Sequence, residues 1–159
     1  MQRKPVPPAP SSLDRVWTVR DAAPLVPEPE GDCCRRLVER ADVPDRGTAS
    51  AWLVFLAALG VVDDTASGYA RNRSEPSRSE LAAAFRENVF LAAECVDALG
   101  DDPRTAEDVF EDVRDHVPQW ERAKREDWKS FWTGRVGRRL DWAVLLGLAE
   151  RSDDGYVAG

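Results

Sequence analysis

The side chains in this 159-residue chain with chemistry to offer are one histidine, three cysteines and a cluster of arginines and lysines between residues 120 and 139. General acid–base or nucleophilic catalysis needs convergent titratable groups, and His116 has no second histidine or nucleophile motif to work with. Its expected place is the C-terminal end of a helix, where an imidazole meets the last carbonyls favourably. Cys33, Cys34 and Cys95 contain no C-x-x-C pair, so a zinc site would lack ligands. The adjacent Cys33 and Cys34 read in two ways. One is a thiol sensor, which requires exposed sulfurs; the other, which we expect, is a pair of small apolar residues on a buried helix face. Gly60, Gly68, Gly134, Gly137 and Gly147 do not fall at phosphate-loop spacing. No catalytic residue, metal or cofactor is therefore expected.

The basic cluster is a different matter. Trp120 to Arg139 holds Arg122, Lys124, Arg125, Lys129, Arg135, Arg138 and Arg139 against Glu121, Glu126 and Asp127. It stands out because the chain as a whole is acidic: 22 basic against 29 acidic residues, a net charge of -7 and a pI near 4.8. That balance argues against a general polyanion binder. Arginine far exceeds lysine and isoleucine is absent. Such a composition resembles high-GC coding, a haloarchaeon first and an actinobacterium second. No apolar run reaches the ~18 residues of a membrane span and no signal peptide is evident, so a soluble, cytoplasmic protein is expected. Residues 1–12, with four prolines and few apolar anchors, are expected to be disordered.

The elements that must position the cluster emerge from an internal repeat. An ungapped offset of 87 aligns Thr18–Arg71 with Thr105–Ala158, with identities that include Leu53/Leu140, Leu59/Leu146, Gly60/Gly147, Gly68/Gly155 and Tyr69/Tyr156. The match is densest where LGVVDDTASGYAR pairs with LGLAERSDDGYVA. In each, a glycine after a Leu-rich helix supplies the positive φ of a helix stop. Short apolar residues, a polar turn and a Gly-Tyr pair then spell a hairpin.

A helix, a glycine stop and a small hairpin resemble the recognition helix and wing of the winged helix-turn-helix superfamily, as found in prokaryotic and archaeal transcription regulators. The resemblance implies a mainly α fold with small β-hairpin wings: two winged-helix units in tandem joined by a helix. The expected boundaries are a first, degenerate unit at 13–73, a linker with its helix at 74–104 and a second unit at 105–159. Helical spacing predicts Thr18–Val26, Asp32–Ala41 and Thr48–Leu59 in the first unit. In the second, Thr105, Pro118 and Arg135 each begin a helix. Thr48–Leu59 is apolar nearly all round, so it should be buried on two sides and not read DNA. Ser79–Leu99, capped by Ser79, carries Leu81, Phe85, Val89, Ala92, Val96 and Leu99 on one stripe. That stripe either bridges the two units or meets a homodimer or protein partner.

In a winged helix the basic cluster spans helix two, its turn and the start of helix three, which lie over double-stranded DNA. The resemblance therefore implies Arg135, Arg138 and Arg139 as base readers and Arg122, Lys124, Arg125 and Lys129 as backbone contacts. Arg71, Arg73 and Arg78 could reach an adjacent minor groove. Two readings compete: a DNA-binding transcription regulator, and a tandem winged-helix module that binds other proteins without DNA. A plainer account of the arginines is ordinary ion pairing with Asp127, Asp141 and the acidic helix at Thr105. Trp52, Trp120, Trp128, Trp132 and Trp142 are expected at inward or turn positions.

Overall fold

The computed structural model describes residues 2–159, and the chain divides into two compact units, 1–89 and 90–159. The first contains α1 (Asp14–Ala22), α2 (Glu30–Arg40), α3 (Arg46–Leu59), the antiparallel hairpin β1 (Val62–Thr65) and β2 (Gly68–Arg71), and α4 (Arg78–Asn88). Asp45 starts α3 by accepting the Thr48 amide at 2.7 Å, satisfying one of the donors every helix start leaves open. Gly60 ends it at φ 83°, a conformation that costs side-chain-bearing residues about 1–2 kcal/mol. Between these stops Leu53, Phe55 and Leu56 are fully buried. Both α2 and α4 pack on α3, with Phe55 and Phe85 edge to face at 6.2 Å.

The second unit contains α5 (Ala92–Asp97), α6 (Ala106–Val113), a 3₁₀ turn at Arg114–His116, α7 (Gln119–Ala123), α8 (Trp128–Leu145) and the hairpin β3 (Ala149–Ser152) and β4 (Gly155–Ala158). A reciprocal capping box opens α6, Thr105 with the Asp108 amide and Asp108 with the Thr105 amide. Gly147 at φ 80° follows α8. Val109, Val136, Leu140, Trp142 and Ala143 fill the core.

In both units one residue ahead of a helix pairs with the hairpin tyrosine. Glu28 and Tyr69 exchange two backbone hydrogen bonds, at 3.1 and 2.9 Å, and so do Arg104 and Tyr156, at 2.9 and 2.8 Å. This one-residue third strand forces a close approach: a Cβ on Gly68 would stand 1.9 Å from the Glu28 carbonyl oxygen, and one on Gly155 2.3 Å from that of Arg104. The Gly-Tyr pair is thus a glycine that admits a backbone and a tyrosine that binds it.

The bridges also correct the repeat. Tyr69 and Tyr156 lie 87 positions apart, but Glu28 and Arg104 lie only 76 apart, so the second unit carries 11 additional residues between its bridge and its hairpin. The equivalences run α1 to α5, α2 to α6 and α3 to α8. The helix beginning at Thr105 therefore matches α2, not the first helix, and the ungapped identities ahead of α3 fall in non-equivalent elements. The 3₁₀ turn and α7 form the insertion.

Two further expectations are revised. Ser79–Leu99 is two helices, because Asn88 gives its carbonyl to the Arg3 amide, Val89 turns extended and Leu91 takes φ 67°. Ser77, not Ser79, caps α4. The stripe is not a free face either: Leu81, Phe85, Val89 and Ala92 are fully buried, α4 packing on α3 and α5 on α8. Residues 2–12, expected to be disordered, run along the first unit, with Arg3 bridged to Val89 and ion-paired to Asp64 at 2.8 Å, and Val6 buried.

Gly68→Ala and Gly155→Ala should each lower stability by ~3 kcal/mol, strain plus backbone displacement. Gly60→Ala, where a Cβ meets nothing within 4 Å, should lose only ~1 kcal/mol. Urea unfolding of the three variants checks the order.

Candidate nucleic-acid interface

The second unit carries most of the acidic excess. Residues 90–159 hold ten basic and sixteen acidic residues, hence -6 of the chain's -7. Its helix three, α8, turns Trp132, Val136, Leu140 and Ala143 into the core. Ser130 and Gly134 are exposed on the opposite side, and Gly137 lets α6 approach, its added Cβ standing 3.7 Å from that of Ala106.

One flank of this outer strip is basic. The guanidiniums of Arg125 and Arg135 stack on Phe131, 4.0 and 4.4 Å from the ring centre. Burial, then the like charges of Arg138 and Arg125, draw the Arg135 pKa downward, so three guanidiniums share one neighbourhood. Arg125 also donates to Asp127 at 3.0 Å. The other flank is mixed: Lys129, Ser130 and Thr133 of α8 face Glu107, Asp108 and Glu111 of α6 across a groove.

The remaining members of the expected set have other duties. Arg139 is fully buried, donating to the carbonyls of Phe90 at 2.6 Å and Arg135 at 3.0 Å. It cannot read a base edge. Burial pulls its pKa down to about 10, which leaves it charged at neutral pH. Helical phase explains the misplacement, since Arg139 sits one turn from Val136 and Ala143 on the inward stripe. Arg122 donates to the carbonyls of Arg114 and Val117, at 2.9 and 3.0 Å, and lies 4.6 Å over the Trp128 ring. It pins the insertion instead of facing outward. Lys124 pairs with Glu121 at 3.5 Å and stands 4.6 Å over Trp120. Lys129 is exposed, 5.9 Å from the Trp128 ring centre.

In the first unit Arg71 is also spent internally, donating to the carbonyls of Asp21 and Ala23 behind α1. Arg73 and Arg78 are exposed. The α3 helix carries no charged residue after Arg46, so its outer side offers Ser50, Val54 and Ala57. Cys33 and Cys34 are buried, and Cys33 donates to the Glu28 carbonyl at 3.3 Å. Burial raises both thiol pKa values, and the sensor reading fails its own requirement of exposure. Among the described residues, no group of three or more His, Cys, Asp or Glu is placed to hold a metal, and no helix is long and apolar enough to cross a membrane.

Asp141 accepts from the Tyr156 hydroxyl and pairs with Arg151 at 2.9 Å, fastening the wing to α8. Sequence reasoning missed Trp120, expected inward but 54% exposed. Five residues of α7 are too few to show a helical phase.

Two three-helix bodies, each closed by a hairpin and a one-residue strand, are winged helices in tandem. A family model, the halobacterial double winged helix domain, matches residues 1–159. The chain belongs to this family. No curated protein and no solved structure matches it. Double winged helix architecture accounts for the matched Gly-Tyr hairpins, and the halobacterial label agrees with the arginine- and aspartate-rich composition.

Tyr156 supplies a pH test. Burial, then the hydrogen bond to Asp141, raise its pKa to about 12. The unfolded phenol ionises near 10, so the stabilisation is complete below about pH 10 and is lost as pH rises towards about 12. Tyr156→Phe should cost ~1 kcal/mol near neutrality and flatten this alkaline decline by one proton, as followed by urea midpoints against pH.

Proposed function

We propose that this double winged helix protein is a DNA-binding transcription regulator acting through its second unit. The observation that supports it most is the gathering of Arg125, Arg135 and Arg138 beside the first half of α8. Arg125 already meets the Asp127 carboxylate, and a phosphate backbone adds counter-charge that complements the group as a whole. In winged-helix docking the recognition helix enters the major groove. Arg135 and Arg138 are then the base readers, because a guanidinium matches both acceptors on a guanine edge. Lys124, Arg125 and Lys129 contact phosphates. In the first unit, whose α3 carries no charged residue after Arg46, Arg73 and Arg78 are the remaining candidates for backbone contact.

The acidic side of the groove favours a second reading. Glu107, Asp108 and Glu111 stand where DNA would approach α6, and they suit a basic protein partner instead. Mobility shift on a duplex from upstream of the protein's own coding region, across a salt series, separates the two. The DNA reading expects a shifted band that Arg135→Glu with Arg138→Glu weakens at least about a hundredfold, with an unchanged urea midpoint. No shift at any salt would leave the protein-binding reading.

A further inference from the structure

We infer that the insertion of the second unit is an additional DNA-backbone contact, in which Trp120 lies against a deoxyribose and Lys124 against the neighbouring phosphate. This rests on the DNA-binding reading and extends it from the groove to the flanking strand.

Four observations converge. The insertion is the one element that the second unit adds between bridge and hairpin, 11 residues by the change of spacing from 76 to 87. It leads directly into α8, the helix with the outward arginines. It displays Trp120 at 54% exposure, the one tryptophan in the exposed class among the described residues. Leaving an indole half-exposed forgoes part of the stabilisation its burial would bring, which makes this ring available as a contact surface. Lys124 holds its ammonium 4.6 Å from the centre of that ring.

An apolar plate with a cation held over one face can set its other face and that cation against one repeat of the DNA backbone, in which the apolar face of a deoxyribose adjoins a phosphate. The partner chemistry is sequence-independent, which suits a residue pair outside the helix that reads bases. The mounting is stiff: Arg122 ties the insertion to the Arg114 and Val117 carbonyls and stacks on Trp128. Glu121, itself buried, fixes Lys124 at 3.5 Å without enclosing it, since the lysine side chain remains 58% exposed. A preorganised cation loses less freedom on binding.

The test uses the full chain and a fluorescent random-sequence duplex, with anisotropy titrations over a potassium chloride series. Trp120→Ala should weaken binding about tenfold with the salt slope unchanged, and Trp120→Phe should restore most of it, because the contact is apolar. Lys124→Ala should lower the slope of log affinity against log salt by about one, the signature of one lost phosphate contact. Trp120→Ala should keep the wild-type urea midpoint, and Lys124→Ala, which takes a partner from buried Glu121, should lower it yet remain folded at the titration temperature. If wild type binds and neither variant differs from it, the insertion is not a contact and the inference falls while the DNA reading stands. If wild type prefers the single strand, the indole stacks on bases and the inference is wrong. If wild type binds no duplex at all, the DNA reading falls and takes the inference with it.

Discussion

Each half of this molecule depends on a pair of backbone hydrogen bonds between a hairpin tyrosine and one residue ahead of a helix, Tyr69 with Glu28 and Tyr156 with Arg104. A two-stranded hairpin alone is marginal in water. A third backbone on its open edge satisfies groups that would otherwise need solvent and fixes the wing against the helices. The approach is close enough that only glycine fits at positions 68 and 155. In the second unit Asp141 adds a side-chain fastening through Tyr156 and Arg151, tying the hairpin to α8.

The parts of the fold that were legible in the sequence are those set by local rules. Gly60 and Gly147 announce helix ends, and the Gly-Tyr pairs announce hairpins, because positive φ and close approach restrict the residue type directly. The breaks were hidden. Nothing in Leu81–Leu99 interrupts the apolar stripe, and the break coincides with Arg3, 85 residues upstream, taking the Asn88 carbonyl, with Val89 extended and Leu91 left-handed. The insertion was masked because strong identities in the hairpins held the alignment at a single spacing, while α6 is too short and acidic to declare its true counterpart. At the candidate site, residue type located the basic cluster, but a single residue step of about 100° around the helix separates half-buried Arg138 from Arg139 in the core, and Arg122 is drawn inward by two carbonyls that no pattern foretells.

The two units differ in charge. The first is nearly neutral, twelve basic against thirteen acidic residues, and its helix three is held between α2 and α4. The second carries the acidic excess together with the arginine cluster. Molar salt shortens the screening length to about 3 Å, so charge alone would attract DNA weakly. Contacts at direct van der Waals range survive, and the cations of the second unit are set on aromatic faces: Arg125 and Arg135 on Phe131, Arg122 on Trp128, Lys124 on Trp120. Ring stacking thus holds these side chains in place alongside the ion pairs of Arg125 with Asp127 and Lys124 with Glu121.

Amide hydrogen exchange at Tyr69 and Tyr156 tests most directly the claim that the bridges close both units. Each of these amides should exchange only when its whole unit opens, with protection matching the most protected amides of α3 and α8. If either exchanges as fast as the turn amides at Ser67 and Asp154, its hairpin is not pinned to the helical body, and that half is not a closed winged helix.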